Sequence, residues 1–522
     1  MITLTRIKAG EYHDSVTLLN VAQTLNQAEG IHDAGVVMGT PANMDLLRSA
    51  DLVTAQIEQA TPNDLIIAVR GESVSLAETA LALADDLLKA KYPGSDTASH
   101  NPQTLKDAID QAEDANIVLI SVAGSYAAAL AHQALDQDKH VFLFSDNVSL
   151  EDEIKLKTAA RAKHLFLMGP DAGTAIINGY ALGFANRIKS GPVGLVAASG
   201  TGLQSVTSQL SNEGIGVSQA IGVGGRDLSA EVGGLMMIQG FQALQADANT
   251  KAVILISKPP AAKVVKKLWK TIAKSSKPTI VCFLGAQKKV KSGKGTYIAR
   301  TLDEAALFAT ALCQDKSISS VKKKIAKRLK KTKRLAQEHR LQLNREQINY
   351  RGLFSGGTFC YETQLILGPL LELESISSNT PVDRKQKTAS VTDTDGHLAI
   401  DFGADEFTVG RLHPMLDPEL RNRRLLQLAL EPSTAVIYFD IVLGYGVHPD
   451  PAGAVIPVLQ HAKKSLKAVN RQVIFTASVC GTPEDPQNSM EQIQKLKDAG
   501  VIVFPSNASA AYFAGYVLSE QT

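Results

Sequence analysis

Residues 193–202 read VGLVAASGTG, and residues 351–360 read RGLFSGGTFC. In each, an apolar run enters a Ser-Gly turn and a helical stretch follows. A continuous apolar run is the signature of a parallel strand covered on both faces. A glycine turn that opens a helix makes it a strand–turn–helix unit of an α/β protein. Further runs follow each turn: 253–257 (VILIS) and 279–284 (TIVCFL) after the first, and 435–439 (AVIYF), 473–476 and 501–504 after the second. The two halves read as copies of one doubly wound module, a repeat of pattern more than of identity.

Upstream, 116–121 (NIVLIS), 140–144 (HVFLF) and 164–168 (HLFLM) alternate with helical stretches and read as βαβ units. Before them, 2–7, 34–38 and 65–69 read as strands, and 15–25 and 74–88 as helices, in a small α/β unit with nothing catalytic in it. The stretch 92–103 (YPGSDTASHNPQ) has the composition of a linker. The expected organisation is 1–100, 104–188, 191–315, a basic linker at 316–349, and 350–522. A chain of 522 residues, at ~150 per domain, suits three to four domains.

Composition excludes several classes of function. Lys and Arg number 54 against 52 acidic residues, so a net charge of +2 gives no general pull toward nucleic acid or membrane. No apolar run nears the roughly 20 residues that cross a bilayer, and the start alternates like a strand, unlike a signal peptide. Cys282, Cys313, Cys360 and Cys480 lie far apart without CxxC spacing. A cytoplasmic protein with no metal site is expected. Residues 322–345 hold eleven basic residues and one acidic residue, Glu338. A solvated helical connector is the better reading, because no interleaved aromatics offer bases a stacking surface.

The two turns carry the chemistry. The first turn of a helix leaves backbone N–H groups unpaired, and glycines let a ligand approach them, which makes an anion site. Ser199, Gly200, Thr201 and Gly202 form one such turn, and Ser355, Gly356, Gly357 and Thr358 the other. The two helix starts are expected to face one phosphate. Gly222, Gly224 and Gly225 precede Arg226 and Asp227, where Arg226 either recognises a carboxylate or phosphate or is a surface residue of a tight loop. In the last unit Asp401 leads to Arg411, His413 and Asp417, and later to Asp440, His448 and Asp450. A loop histidine can act as acid, base or anion donor, or only cap a turn; Arg, His and Asp gathered in one short loop favour function. His132, His140, His164 and His461 read as structural or surface residues.

Residues 168–179 (MGPDAGTAIING), followed by 191–202 (GPVGLVAASGTG), resemble the α subunit of succinyl-CoA synthetase, and 222–227 resembles its next loop. The last unit resembles the ligase module of the β subunit. Nearly the whole chain is similar to the FdrA family of acyl-CoA-synthetase-like proteins, through 144–150 (FSDNVSL), 168–179, 222–236, 255–260 (LISKPP), 351–360 and 413–418 (HPMLDP). The resemblance implies a multidomain α/β fold: a CoA-binding Rossmann-like domain, two flavodoxin-like ligase modules and a small N-terminal α/β domain. It places Gly169, Pro170, Asp171, Gly173 and Thr174 where CoA would lie.

The departures are chemical. The synthetase's catalytic histidine belongs to a GHAGA segment after the strand matching 279–284, and residues 285–311 contain no histidine. Its phosphohistidine-steadying glutamate is replaced at Lys258, and no ATP-grasp domain is present. The family resemblance implies a subunit of oxamate carbamoyltransferase, working in allantoin breakdown with subunits encoded nearby, as an oligomer. Phosphate or carbamoyl phosphate would lie between the turns, with Arg226, Lys258, Arg411 and His413 handling charge on oxamate or oxalurate. An acyl-CoA ligase or CoA-binding subunit with a partner ATP-grasp chain, and a non-catalytic anion-sensing scaffold, are the alternatives.

Overall fold

The computed structural model describes residues 2–519 except 12, 14, 41–42, 45–46, 49, 90–101, 103, 287–294, 374–375, 384–395 and 409–410. The expected linker at 92–103 therefore lies, but for Pro102, outside the described residues. The chain divides into two compact units: Met1–Gln103 with Thr408–Leu412, and Thr104–Phe407 with His413–Thr522. No described helix is long and apolar enough to cross a membrane.

The first unit holds a three-stranded antiparallel sheet, ordered Ile2–Lys8, Leu65–Gly71, Ile31–Met38. Its central strand is apolar from Leu65 to Val69 because both faces are covered there. Leu65, Ile67 and Val69 pack with Leu18, Leu25 and Leu81, from the helices Ser15–Asn26 and Val74–Lys89. Ile66 and Ala68 meet Leu47, Leu52 and Ile57 on the other side.

The second unit contains three sheets. A small parallel sheet joins Ile117–Ile120, His140–Leu143 and Leu167–Met168. The last of these is shorter than the 164–168 run suggests, because His164, with φ of 57°, closes the turn after the helix Leu150–Ala162. The seven-stranded sheet runs Thr296–Ile298, Thr279–Phe283, Ala252–Ser257, Ser190–Ala197, Val217–Gly222, then the antiparallel pair Thr174–Ile177 and Tyr180–Gly183. Hydrogen bonds thus tie 174–183 to the sheet of the following segment. The six-stranded parallel sheet runs Ser377–Ser378, Leu398–Asp401, Asn349–Phe354, Thr434–Val442, Ile474–Cys480, Ile502–Phe504.

Both larger sheets repeat one order. The strand that enters the Ser-Gly turn is central, the next segment pairs on one side, and later strands build outward on the other. The turns at Ser199 and Ser355 therefore sit where strand order reverses, the place at which open α/β sheets leave a crevice.

The basic segment differs from a solvated connector. The helix Ile318–Arg340 buries Val321, Thr332 and Ala336, sets His339 edge-on to Phe513 at 5.9 Å, and pairs Arg328 with Asp303. It is a docked amphipathic helix whose charges fill the outer face, since one apolar stripe is enough to anchor it.

Candidate functional site

The two turns, far apart in the chain, touch. Ser199 caps the helix Gly200–Asn212, its Oγ accepting from Gly202 N at 2.9 Å, and the same Oγ lies 2.6 Å from Thr358 Oγ1. Gly356 lies against Thr201: a Cβ built on it would come within 2.6 Å of Thr201 Cγ2. The helix Gly357–Leu370 has Gly356 as its N-cap and no side-chain cap. Two helix starts thus meet at one place, and Ser199, Gly200, Thr201 and Gly357 are half-buried there. Among the described residues the amides of Gly200, Thr201, Gly357 and Thr358 carry no hydrogen bond, as first-turn groups do. Thr174 and Gly173 border the first helix start, with Gly200's Cβ position 3.6 Å from Thr174 Oγ1. Thr174 itself donates to Phe184 O at 2.6 Å.

Beneath the second turn lies a buried ion pair. Asp440 accepts from Ser355 N at 2.8 and 3.0 Å, and Arg421 Nη1 donates to Ser355 Oγ and Asp440 O, both at 2.7 Å. Ser355's hydroxyl is therefore engaged in holding its own turn. Asp401 stands beside that helix start, with Oδ2 2.5 Å from where a Cβ on Gly357 would be.

Lys258 follows the strand Ala252–Ser257 and sets its Nζ 5.3 Å from the centre of the Tyr361 ring, one turn into the second helix. Its charge favours the ionised form of Asp401. His413 lies against Phe184 with ring centroids 5.7 Å apart, and its Nδ1 accepts from Met415 N at 3.2 Å. The proton of the neutral ring is then on Nε2, which borders Gly403. Burial pulls its pKa down to about 4, so it is neutral at pH 7.

Other expected site residues have structural employment. Arg226 pairs through Nε with Glu153 at 2.8 Å and donates to Val148 O at 2.7 Å. Asp227 accepts from Lys157 Nζ at 2.9 Å and from Met236 N and Met237 N, at the start of the helix Leu235–Ala246. Asp450 caps the helix Pro451–Ala468, and His448 accepts from Asp450 N. Arg411 is exposed, in the short segment that groups with the first unit.

Asp171 is exposed, and the surrounding protein, with Asp146 and Asp405, pushes its carboxyl up to about 6 against the pull of Arg226. Beside it the loops at 169–173 and 222–225 pack backbone to backbone, Gly224's Cβ position being 2.4 Å from Pro170 O, while Gly173 and Gly225 face open space.

A buried histidine makes the acid side of stability testable. His397 accepts from Tyr350 N at 3.1 Å, and burial with the neighbouring Arg351 pulls it down to about 4. The folded ring stays neutral while the unfolded one protonates near 6.5, so its contribution is present above that pH and lost as pH falls toward 4. Asp401 and Asp171, pushed up to about 6, and Glu362, pushed up to about 7, act in the opposite sense. His397→Asn is expected to lose stability at pH 7.5. Between there and pH 4 it should regain up to about 3 kcal/mol relative to wild type. Parallel thermal unfolding curves of the two proteins at both pH values would contradict this.

Paired turns on a duplicated doubly wound module define an acyl-CoA-synthetase-like protein. A family described as "CoA binding domain" matches residues 188–285, and one described as "CoA-ligase" matches residues 353–517. The chain belongs to the FdrA-type family: it is 39% identical over 510 residues to the uncharacterized protein YahF of Escherichia coli strain K12, covering 97% of each. It is also 29% identical over 180 residues to the α subunit of ADP-forming succinate–CoA ligase from Staphylococcus epidermidis, across 33% of this chain and 57% of that one. Among solved structures, the apo form of dinucleotide-forming acetyl-coenzyme A synthetase 1 from Ca. Korarchaeum cryptofilum covers 77% of this chain and 82% of its own, at 15% identity. Its TM-score of 0.31 is too low to bear on the site. Residues 1–104 match a family described as "AllF, heavy metal-associated domain".

A heavy-metal ion does not fit the residues of the first segment. Residues 1–104 contain no cysteine, and no described residues form a group of three His, Cys, Asp or Glu that could hold a metal ion. A soft heavy-metal ion would lack its preferred thiolates there.

Arg421 and Lys157 were not legible as partners. Both occur in helices with many charged residues, yet Lys157 is fully buried and Arg421 nearly so. One signal existed: Asp440, inside the apolar run AVIYFDIVL, demands a buried cation.

Proposed function

We propose that this chain is a subunit of a carbamoyltransferase that interconverts oxalurate plus phosphate with oxamate plus carbamoyl phosphate. The observation that carries the reading is the 2.6 Å approach of Ser199 and Thr358, which brings two helix starts to one place. Amides of Gly200, Thr201, Gly357 and Thr358 would cradle the phosphate, with the hydroxyl of Thr201 and one hydroxyl of the Ser199–Thr358 pair as further donors. Lys258 is the cation available to the substrate carboxylate, since Arg226 is committed to Glu153. Fixed dipoles aimed at developing charge stabilise the tetrahedral oxyanion without reorganising, each such donor being worth ~10²–10³ in rate. No covalent carrier is needed, which suits a segment 285–311 without histidine.

The test combines this chain with the products of neighbouring genes, oxamate and carbamoyl phosphate, and measures oxalurate. Formation in at least one combination is expected; none in any combination removes the proposal. Similarity to CoA-binding and CoA-ligase families favours a second reading, a ligase subunit served by a partner ATP-grasp chain. Labelled ATP plus the same partners would then give an acid-labile phosphoenzyme or a thioester, and carbamoyl transfer requires neither.

A further inference from the structure

A buried carboxyl stands at the second helix start of the proposed phosphate cradle. Asp401 ends the strand Leu398–Asp401, and Asn379 fixes its backbone from both sides, each bond 2.9 Å. Its Oδ1 accepts from Gly403 N at 3.0 Å, while Oδ2 lies over Gly357 at the second helix start. His413 Nε2 shares the space above Gly403: a Cβ there would be 2.8 Å from Nε2 and 3.3 Å from Asp401 Oδ1. Lys258 draws Asp401 toward ionisation, whereas Asp440 and Glu406 oppose it, and Cys360 in the second helix also feels its charge. Asp440's own charge is compensated by Arg421. Burial is the largest influence and leaves the carboxyl at about 6 before any anion is bound.

A resident carboxylate and an incoming phosphate cannot both be ionised against one helix start without strong mutual repulsion. Phosphate entry therefore favours the neutral acid. Resting on the carbamoyl-transfer reading, we propose that Asp401 is the catalytic acid of this site, taking up a proton as the anion binds and giving it to the leaving nitrogen. In the step, a phosphate oxygen attacks the ureido carbon of oxalurate, and the bond from that carbon to the oxamate nitrogen breaks. Asp401 protonates the departing nitrogen, and the proton of hydrogen phosphate restores Asp401. Atoms and charge balance: oxalurate and hydrogen phosphate give oxamate and carbamoyl phosphate with no other reactant.

The test is calorimetric titration of the full chain with inorganic phosphate at pH 7.5, in buffers of different ionisation enthalpy. Wild type is expected to take up a substantial fraction of a proton per phosphate beyond what phosphate itself exchanges. Asp401→Asn should abolish that uptake and bind phosphate several-fold more tightly, while transfer in the assembled system falls ~10²–10⁴-fold. His413→Gln should keep the uptake, which separates the two groups. Phosphate binding without uptake in wild type, or uptake surviving in Asp401→Asn, overturns the assignment and leaves the cradle standing. Failure of wild type to bind phosphate removes the cradle itself. Should Asp401→Asn not fold, the wild-type and His413→Gln proton counts still decide.

Discussion

Gly356→Ala is expected to abolish phosphate binding and reduce transfer by at least ~10²-fold in a chain that still folds. Gly356 has φ −130° and ψ 115°, which alanine adopts freely, so the backbone itself bears no strain. The obstacle is steric. The new methyl would lie 2.6 Å from Thr201 Cγ2 and 2.9 Å from Thr201 Cβ and Oγ1. Rotating the threonine moves Cγ2 and Oγ1 but not Cβ, so the turns must separate. Misplacement by about an ångström is enough to cost ~10²-fold where fixed donors must meet a reacting group. Thr201→Gly in the same chain removes the obstacle and should restore phosphate binding, a coupling expected only of residues in contact. Titration of both variants with phosphate checks it; equal affinity in Gly356→Ala and wild type would mean that the junction of the turns holds no anion.

Arg421→Met should have the largest effect on stability, about 3–5 kcal/mol, which is the usual cost of stranding a buried charge. Asp440 is fully buried, and Arg421 supplies its compensating cation 3.2 Å away while also holding Ser355 Oγ. Without the guanidinium, Asp440 must ionise alone or take a proton, so the deficit should shrink as the pH is lowered. A loss of ~4–6 °C in Tm is expected for a unit of this size. Adding Asp440→Asn removes the stranded charge, keeps an acceptor for Ser355 N, and should recover much of the loss. A single variant that melts within two or three degrees of wild type would show that the pair is not what holds the second turn.

Much of the architecture was legible because it is encoded locally. The runs 193–197 and 352–354 are apolar and buried, since each lies in the middle of a covered parallel sheet, and each stops at a glycine turn that opens a helix. The reading of 316–349 as a solvated connector missed its packing. Val321, Thr332 and Ala336 are a thin stripe among many charges, and only the facing helix Asn507–Leu518 shows why that stripe suffices. Arg226 and His413 looked alike as loop residues with chemical potential. Glu153 claims the first, whereas the second faces Asp401 across Gly403.

The residues by themselves determined the repeated strand–turn–helix unit, the glycines its turns require, and the want of a histidine where a phosphoenzyme would need one. These are properties of neighbouring positions, fixed by backbone sterics and by side-chain type. Only the tertiary structure decided that Ser199 and Thr358, 159 residues apart, meet at 2.6 Å, that Asp401 overlooks the second helix start, and that Arg421 pairs with Asp440 beneath it. Those pairings depend on how two sheets pack and which charges burial forces together, and no local pattern in the chain carries that information.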